Sequence, residues 1–158
     1  MSLAYQIGDY EETYRTYKLD VPERYNWAYE VFDKWGRDPE KLAMVWVSDG
    51  GDYREVTFRE FGERSRRVAN ALTELGVQPG DRVMTMMSRI VEWWEVVLGC
   101  ISGRFVSVPG TTMLTTKDIS YRINAAGVTV AIADAESAGK IEQVRDECPT
   151  LREVIVVG

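Results

Sequence analysis

From Arg82 onward the sequence alternates short apolar runs with longer segments of helical period, and that alternation confines the chain to an α/β fold. β-Prone residues fill 82–87, 105–108, 128–133 and 153–157, and helical spacing fills 91–102, 116–126 and 136–147 between them. Strands separated by helices are joined by crossovers rather than tight hairpins, so they run parallel with right-handed connections. The expectation is a mostly parallel βαβ sheet. No fixed-length repeat accompanies the alternation, which argues against a solenoid.

A helix and a β-hairpin are expected ahead of the sheet. Pro22 suits the first turn of a helix, Trp27, Val31, Phe32 and Trp35 form one apolar stripe, and Gly36 closes it. Leu42–Val47 and Tyr53–Phe58 flank the turn residues Asp49-Gly50-Gly51-Asp52 and read as a hairpin. Thr57 with Glu60 three residues on is a capping-box pattern. Phe58, Phe61, Ser65, Val68, Leu72 and Leu75 then recur at spacings of three and four until Gly76 ends the helix. Pro79-Gly80 fits the centre of a type II turn before the first sheet strand. Tyr5 to Tyr17 is tyrosine-rich and acidic without a sustained period, and reads as an arm that needs something to pack against.

Composition narrows the chemistry. The chain of 158 residues has no histidine, which removes the usual catalytic triads, imidazole bases and most zinc sites from this segment. Its formal charge of −6 disfavours nucleic acid or an anionic membrane as a partner. The acidity is concentrated at the start, with 13 acidic and 8 basic residues in 1–60 against 12 and 11 in 61–158. The first residues of this sequence do not read as a basic region followed by an apolar stretch, and no apolar run approaches the ~18 residues of a membrane span. Cys100 and Cys148 lack metal-ligand spacing and read as buried thiols in a reducing compartment, so a cytoplasmic location is expected.

Several candidate motifs reduce to ordinary structure. No Gly-x-Gly-x-x-Gly follows an expected strand, and Gly139-Lys140 lacks both the preceding glycine and the following hydroxyl of a phosphate loop. Glu11-Glu12 and Asp146-Glu147 read as exposed surface. Arg64, Arg66 and Arg67 read as a solvated helix face supported by the pairs Glu60–Arg64 and Glu63–Arg67. Trp93 and Trp94 share helical spacing with Ile90, Val97, Leu98 and Ile101 and are expected in the core. The loop after the strand 105–108 stands apart, because ligands of open α/β sheets bind at the carboxyl ends of strands. There Gly110 allows close backbone approach, and Thr111 and Thr112 offer hydroxyls to phosphate or carboxylate oxygens. Gly110, Thr111, Thr112 and Met113 are therefore the candidate cofactor-binding residues, an ordinary turn being the alternative. Thr115 or Thr116, with Asp118, suits the cap of the next helix.

A set of phrases in fixed order carries a family resemblance. Thr57-Phe58-Arg59-Glu60-Phe61, Arg67-Val68-Ala69-Asn70-Ala71-Leu72 and Leu75-Gly76-Val77-Gln78-Pro79-Gly80-Asp81-Arg82-Val83 come first. Glu92-Trp93-Trp94, Leu98-Gly99-Cys100-Ile101, Val108-Pro109-Gly110-Thr111 and Asp118-Ile119-Ser120-Tyr121-Arg122-Ile123 follow in step. Together they resemble the N-terminal part of the adenylate-forming (AMP-binding) acyl-CoA synthetase superfamily, most closely its medium-chain branch. The resemblance implies a parent ligase that converts carboxylic acid, ATP and CoA to acyl-CoA, AMP and pyrophosphate through an acyl-adenylate, with Mg assisting. It implies a medium-chain or aromatic acid as substrate. On this reading residues 1–21 form an arm and 22–158 a partial adenylation domain.

The family's phosphate loop, ribose-binding aspartate and C-terminal lysine have no counterpart in these residues. The apolar strand Val154–Val157 reaches Gly158 without a covering element, so a domain that continues past this point is expected. The remainder of the synthetase is then the natural partner, self-association of the open surface is expected, and the fragment alone is expected to be inactive and to bind none of the cofactors tightly. A noncatalytic interaction module or a split-enzyme subunit is the alternative. Two positions depart from the family pattern: Met113 stands where related medium-chain enzymes carry a glutamine, and Arg104 stands where the family has glycine.

Overall fold

The computed structural model describes residues 9–158, so Tyr5 of the expected arm lies outside the described residues. Its framework follows from where the sequence places short, nearly continuous apolar runs. Strands β1 (Leu42–Val47) and β2 (Tyr53–Thr57) pair antiparallel as the expected hairpin. Strands β3 (Arg82–Met86), β4 (Val106–Pro109), β5 (Val128–Asp134) and β6 (Glu153–Val157) form a separate parallel sheet in the order β4-β3-β5-β6. The chain thus steps from β3 to one side, then crosses back to the other, which is the doubly wound arrangement.

Helices cover both faces of that sheet. Met84, Met86, Ala131 and Ala133 meet α5 (Thr116–Ala126) and α6 (Ala135–Glu142) through Ile119, Ile123, Ala138 and Ile141. The alternate residues Val83, Val130 and Ile132 meet α3 (Phe58–Glu74) and α4 (Val91–Gly103) through Leu72, Val96 and Cys100. A third cluster of Ala28, Phe32, Val56, Phe61, Val91 and Leu98 seats the hairpin on the outer side of α3 and α4. Gly99 makes the α3–α4 seam possible, since a Cβ there would lie 2.9 Å from both the Ser65 carbonyl oxygen and Val68. Both cysteines are free and buried, and burial pushes the Cys100 thiol up to about 12. No described helix is long and apolar enough to cross a membrane.

Helix ends form where the local chemistry specifies them. Thr57 and Glu60 complete a reciprocal capping box on α3, and Thr115 and Asp118 do the same on α5. Gly76, at φ 80°, closes α3 with Val77 N–H donating to the Leu72 carbonyl at 3.0 Å. The terminus of α4 resolves the Arg104 departure. Arg104 itself adopts the left-handed conformation at φ 60°, while a Cβ on Gly103 would lie 2.3 Å from the Phe105 ring. The glycine is needed one position earlier, for packing, and the arginine carries the strained dihedral.

Four expectations are corrected. The first helical segment begins at a π-helical turn, Ala28–Phe32, running into the short α2 (Asp33–Trp35), rather than at Pro22. Asn26 sets that start, its Oδ1 accepting from Ala28 N–H at 3.0 Å and its Nδ2 donating to the Ile101 carbonyl at 2.9 Å. The sixth helix stops at Glu142 and is followed by a 3₁₀ turn, Arg145–Glu147, instead of running to 147. The arginines of α3 do form an exposed helix face, but they pair across the fold rather than with Glu60 and Glu63 along the helix: Arg64 with Glu95 at 3.2 Å and Arg66 with Asp33 at 2.9 Å. Glu60 serves the cap instead. Finally, the arm includes a helix, α1 (Tyr10–Thr16), capped by Asp9 and burying none of its residues.

Candidate functional site

The carboxyl ends of β3 and β4 open into a cleft of about 830 Å³. Its walls come from three places: Met44, Val45 and Trp46 of β1, the β3–α4 loop with Met87, Ser88 and Arg89, and Thr111 and Thr112 of the β4–α5 loop. Trp93 and Trp94 of α4 complete it, their rings edge to face with centroids 4.7 Å apart. Trp93 packs against the core, but Trp94 is 50% exposed, which corrects the expectation that both are interior. Adjacent residues on one helix point about 100° apart, and only Trp93 shares the face that meets the sheet.

The four residues singled out in the β4–α5 loop separate. Thr111 and Thr112 line the cleft, whereas Gly110 and Met113 do not, and Met113 is 86% exposed. Gly110 N–H donates to the Thr85 carbonyl at 2.9 Å, and a Cβ there would come within 3.0 Å of Met84 and 3.1 Å of Leu114. Core packing therefore accounts for this glycine. The Thr111 hydroxyl accepts from Met113 N–H at 3.3 Å, leaving its own proton free to donate into the cleft. Lys140 of α6 donates to the Thr112 carbonyl at 2.9 Å and pairs with Glu136, so it fastens the loop from below.

A second set of contacts fixes the opposite wall. Trp46 donates its indole N–H to the Arg89 carbonyl at 2.7 Å, tying hairpin to sheet edge. Asp134, at the end of β5, accepts from Ser88 N–H and Ser137 N–H at 2.9 Å each. Burial opposes its ionisation, but those amide donors and Lys140 outweigh it and hold the carboxyl below its usual range. The Arg89 side chain is exposed and has no ion pair among the described residues. Next to it, Ile90 is the N-cap of α4 and gives it no side-chain hydrogen bond. One cationic residue, three hydroxyl residues and three tryptophans thus line one cleft, a combination suited to an anionic, partly apolar ligand. Among the described residues no three Cys, Asp or Glu side chains converge as a metal site.

Of these residues the sequence pointed to Thr111 and Thr112 and missed Ser88, Arg89 and Trp46. The signal for Ser88 and Arg89 was available, since they follow the first sheet strand directly. Nothing local announces Trp46, which comes from the separate hairpin.

Comparison with known proteins places this geometry. A rat protein named acyl-coenzyme A synthetase ACSM4, mitochondrial, is 37% identical over an alignment covering 96% of this chain and 27% of the relative. A crystal structure of the anthranilate CoA ligase AuaEII in complex with anthranoyl-AMP superimposes with a TM-score of 0.75 at 26% identity, covering 88% of this chain and 26% of that one. The N-terminal domain of FACL13 from Mycobacterium tuberculosis gives a TM-score of 0.75 at 25% identity, covering 85% of this chain and 34% of that one. The chain thus spans about a quarter of the length of the curated relatives it matches, and it matches the N-terminal part of acyl-CoA synthetases. The sequence profile described as AMP-binding enzyme matches residues 31–158, and the chain belongs to that family.

Proposed function

We propose that this chain supplies one wall of the nucleotide and CoA cleft of an AMP-forming acyl-CoA synthetase, and that it is inactive without the rest of that enzyme. The cleft at the carboxyl ends of β3 and β4 carries the reading. The reaction it serves has two steps. A carboxylate, a poor electrophile, attacks the α-phosphorus of ATP and displaces pyrophosphate, giving an acyl-adenylate whose AMP is a good leaving group. The thiol of CoA then attacks the acyl carbon and releases AMP. Residues 22–158 belong to the adenylation domain, with 1–21 as an arm, and the acid is medium-chain or aromatic.

Within that scheme the chain's own part is binding and orientation. The Arg89 guanidinium and the hydroxyls of Ser88, Thr111 and Thr112 offer donors to phosphate oxygens, and each charge-assisted hydrogen bond contributes roughly 1.5–3 kcal/mol. Gly110 and Met113 complete the loop without lining the cleft. Magnesium, as ATP's companion ion, would supply positive charge to the phosphate oxygens.

The test is acid-dependent ATP–pyrophosphate exchange. The 158-residue chain alone should show none. A chimera in which it replaces the matched part of the rat relative should show exchange with medium-chain or aromatic acids. Exchange by the isolated chain would refute its inactivity, and a folded chimera silent with every acid would refute the ligase reading.

A further inference from the structure

Two apolar features of this molecule have no partner among the described residues, and chain connectivity relates them. The first is a trough along the outer face of α4. Beside the cleft lies a second hollow of about 390 Å³, and the two share Met44 and Trp94. Trp94, Val97 and Ile101 form its α4 side at helical spacing, and Trp27 stands at its far end. Among the described residues, the only formally charged one lining the combined trough is Arg89.

The second feature is the arm. Tyr10 and Tyr14 follow the i, i+4 spacing of one face of α1, Tyr17 stands just past its end, and the three are 68%, 75% and 59% exposed. A helix of 7 residues is far below the ~12–15 that persist unaided in water, so α1 requires a surface to dock on. Residues 9–23 carry 5 acidic and 2 basic side chains, complementary to a trough whose one charge is positive. The arm is anchored next to that trough, because Asn26 is bonded to the Ile101 carbonyl. Extended, residues 17–25 reach up to ~30 Å. The trough along α4, from Ile101 to Trp93, is only ~12 Å long.

We propose that α1 folds back onto its own chain as a strap, laying its tyrosine face into the α4 trough with its acidic turn toward Arg89. Tethering keeps the effective concentration near millimolar, which lets a weak helix-in-groove contact form without a second molecule. The strap covers Trp94 and the apolar end of the cleft. This inference does not depend on the synthetase reading.

Paired cysteines test it, the two native thiols being buried. Under mild oxidation at micromolar concentration, Tyr14→Cys with Trp94→Cys should close an intrachain disulfide at least 10-fold faster than Tyr14→Cys with Tyr121→Cys, which lies on α5. Equal rates would overturn the strap. Disulfide-linked dimers would also overturn it and assign the trough to a second copy. Acrylamide quenching of tryptophan fluorescence provides a measurement that leaves the trough intact. Tyr10→Ser/Tyr14→Ser should at least double the accessible fraction, and unchanged quenching counts against the proposal.

Discussion

Strands β3 and β5 are covered by helices on both faces, whereas β1 and β2 are covered on one. In the central sheet Val83, Met84, Met86, Ala131 and Ala133 have no exposed surface. In the hairpin Val45, Val47 and Tyr53 are 47%, 59% and 62% exposed. The difference shows where each region draws its stability. The sheet holds itself through two dry layers, while the hairpin depends on α3 and α4 being correctly placed beneath it. Charges reinforce that dependence: Arg54 of β2 contacts Glu92 at 3.3 Å and Glu95 at 3.9 Å, and Glu95 also pairs with Arg64. One buried carboxylate joins hairpin, α3 and α4.

The most severe break of this comparison is Gly99→Val. Its side chain must enter the seam where a single Cβ already meets the Ser65 carbonyl oxygen at 2.9 Å. It should cost about 3 kcal/mol or more and bring both regions down in one transition, measured by urea unfolding followed through far-UV circular dichroism. Separate transitions for hairpin and sheet would show that the seam does not couple them.

A paired truncation sharpens the contrast. Val130→Ala in β5 should cost about 2–3 kcal/mol and Val56→Ala in β2 about 1–2 kcal/mol, because the same group is removed from equally buried sites and the one-sided hairpin relaxes into the void more easily. Equal losses would mean that the hairpin core is as rigid as the sheet.

Asp134→Asn, at the sheet edge, should cost about 1 kcal/mol at pH 7 through its weakened hold on the Ser88 and Ser137 amides. Since the folded state lowers the Asp134 pKa, its contribution is present above the ordinary value of 3.8 and fades as pH falls through the folded value. The difference between variant and parent should therefore shrink below pH 3.8, and a difference independent of pH would contradict the assignment.

Glu95→Gln should have the smallest effect, within about 1 kcal/mol at pH 7. Burial pushes the Glu95 carboxyl up, against the pull of Arg64 and Arg54. A raised folded value contributes stability that is full below the ordinary 4.5 and is lost as pH rises through the folded value. The ion cluster thus orients the hairpin more than it stabilises it. The substitution should flatten the pH dependence of unfolding above 4.5, and a loss of several kcal/mol at neutral pH would reverse this reading.

The sheet was legible in the sequence because its signals are local and mutually consistent. Four apolar strands, their crossover helices and the Thr57–Glu60 capping box are each specified by residues close together along the chain. The two threonines of the cleft were legible for the same reason, since they follow a strand directly. The start of the first helical segment was not: Pro22 has the right propensity, but Asn26 bonds to Ile101, 75 residues away, and moves the boundary. The pairing of Arg64 with Glu95 and the exposure of Trp94 were equally out of reach, because both depend on how α3, α4 and the hairpin stack.

By itself, then, the sequence determined the alternating α/β order, the cap of α3 at Thr57 and its end at Gly76, the burial of both thiols and the family. Periodicity and backbone chemistry decide those within a few residues. Tertiary structure alone decided that Trp46 closes the cleft onto Arg89, that Arg104 takes a left-handed backbone so that Gly103 can admit Phe105, and that the arm and the α4 trough face solvent. Each of those depends on atoms brought together by packing, and no local pattern encodes distances between segments that far apart in the chain.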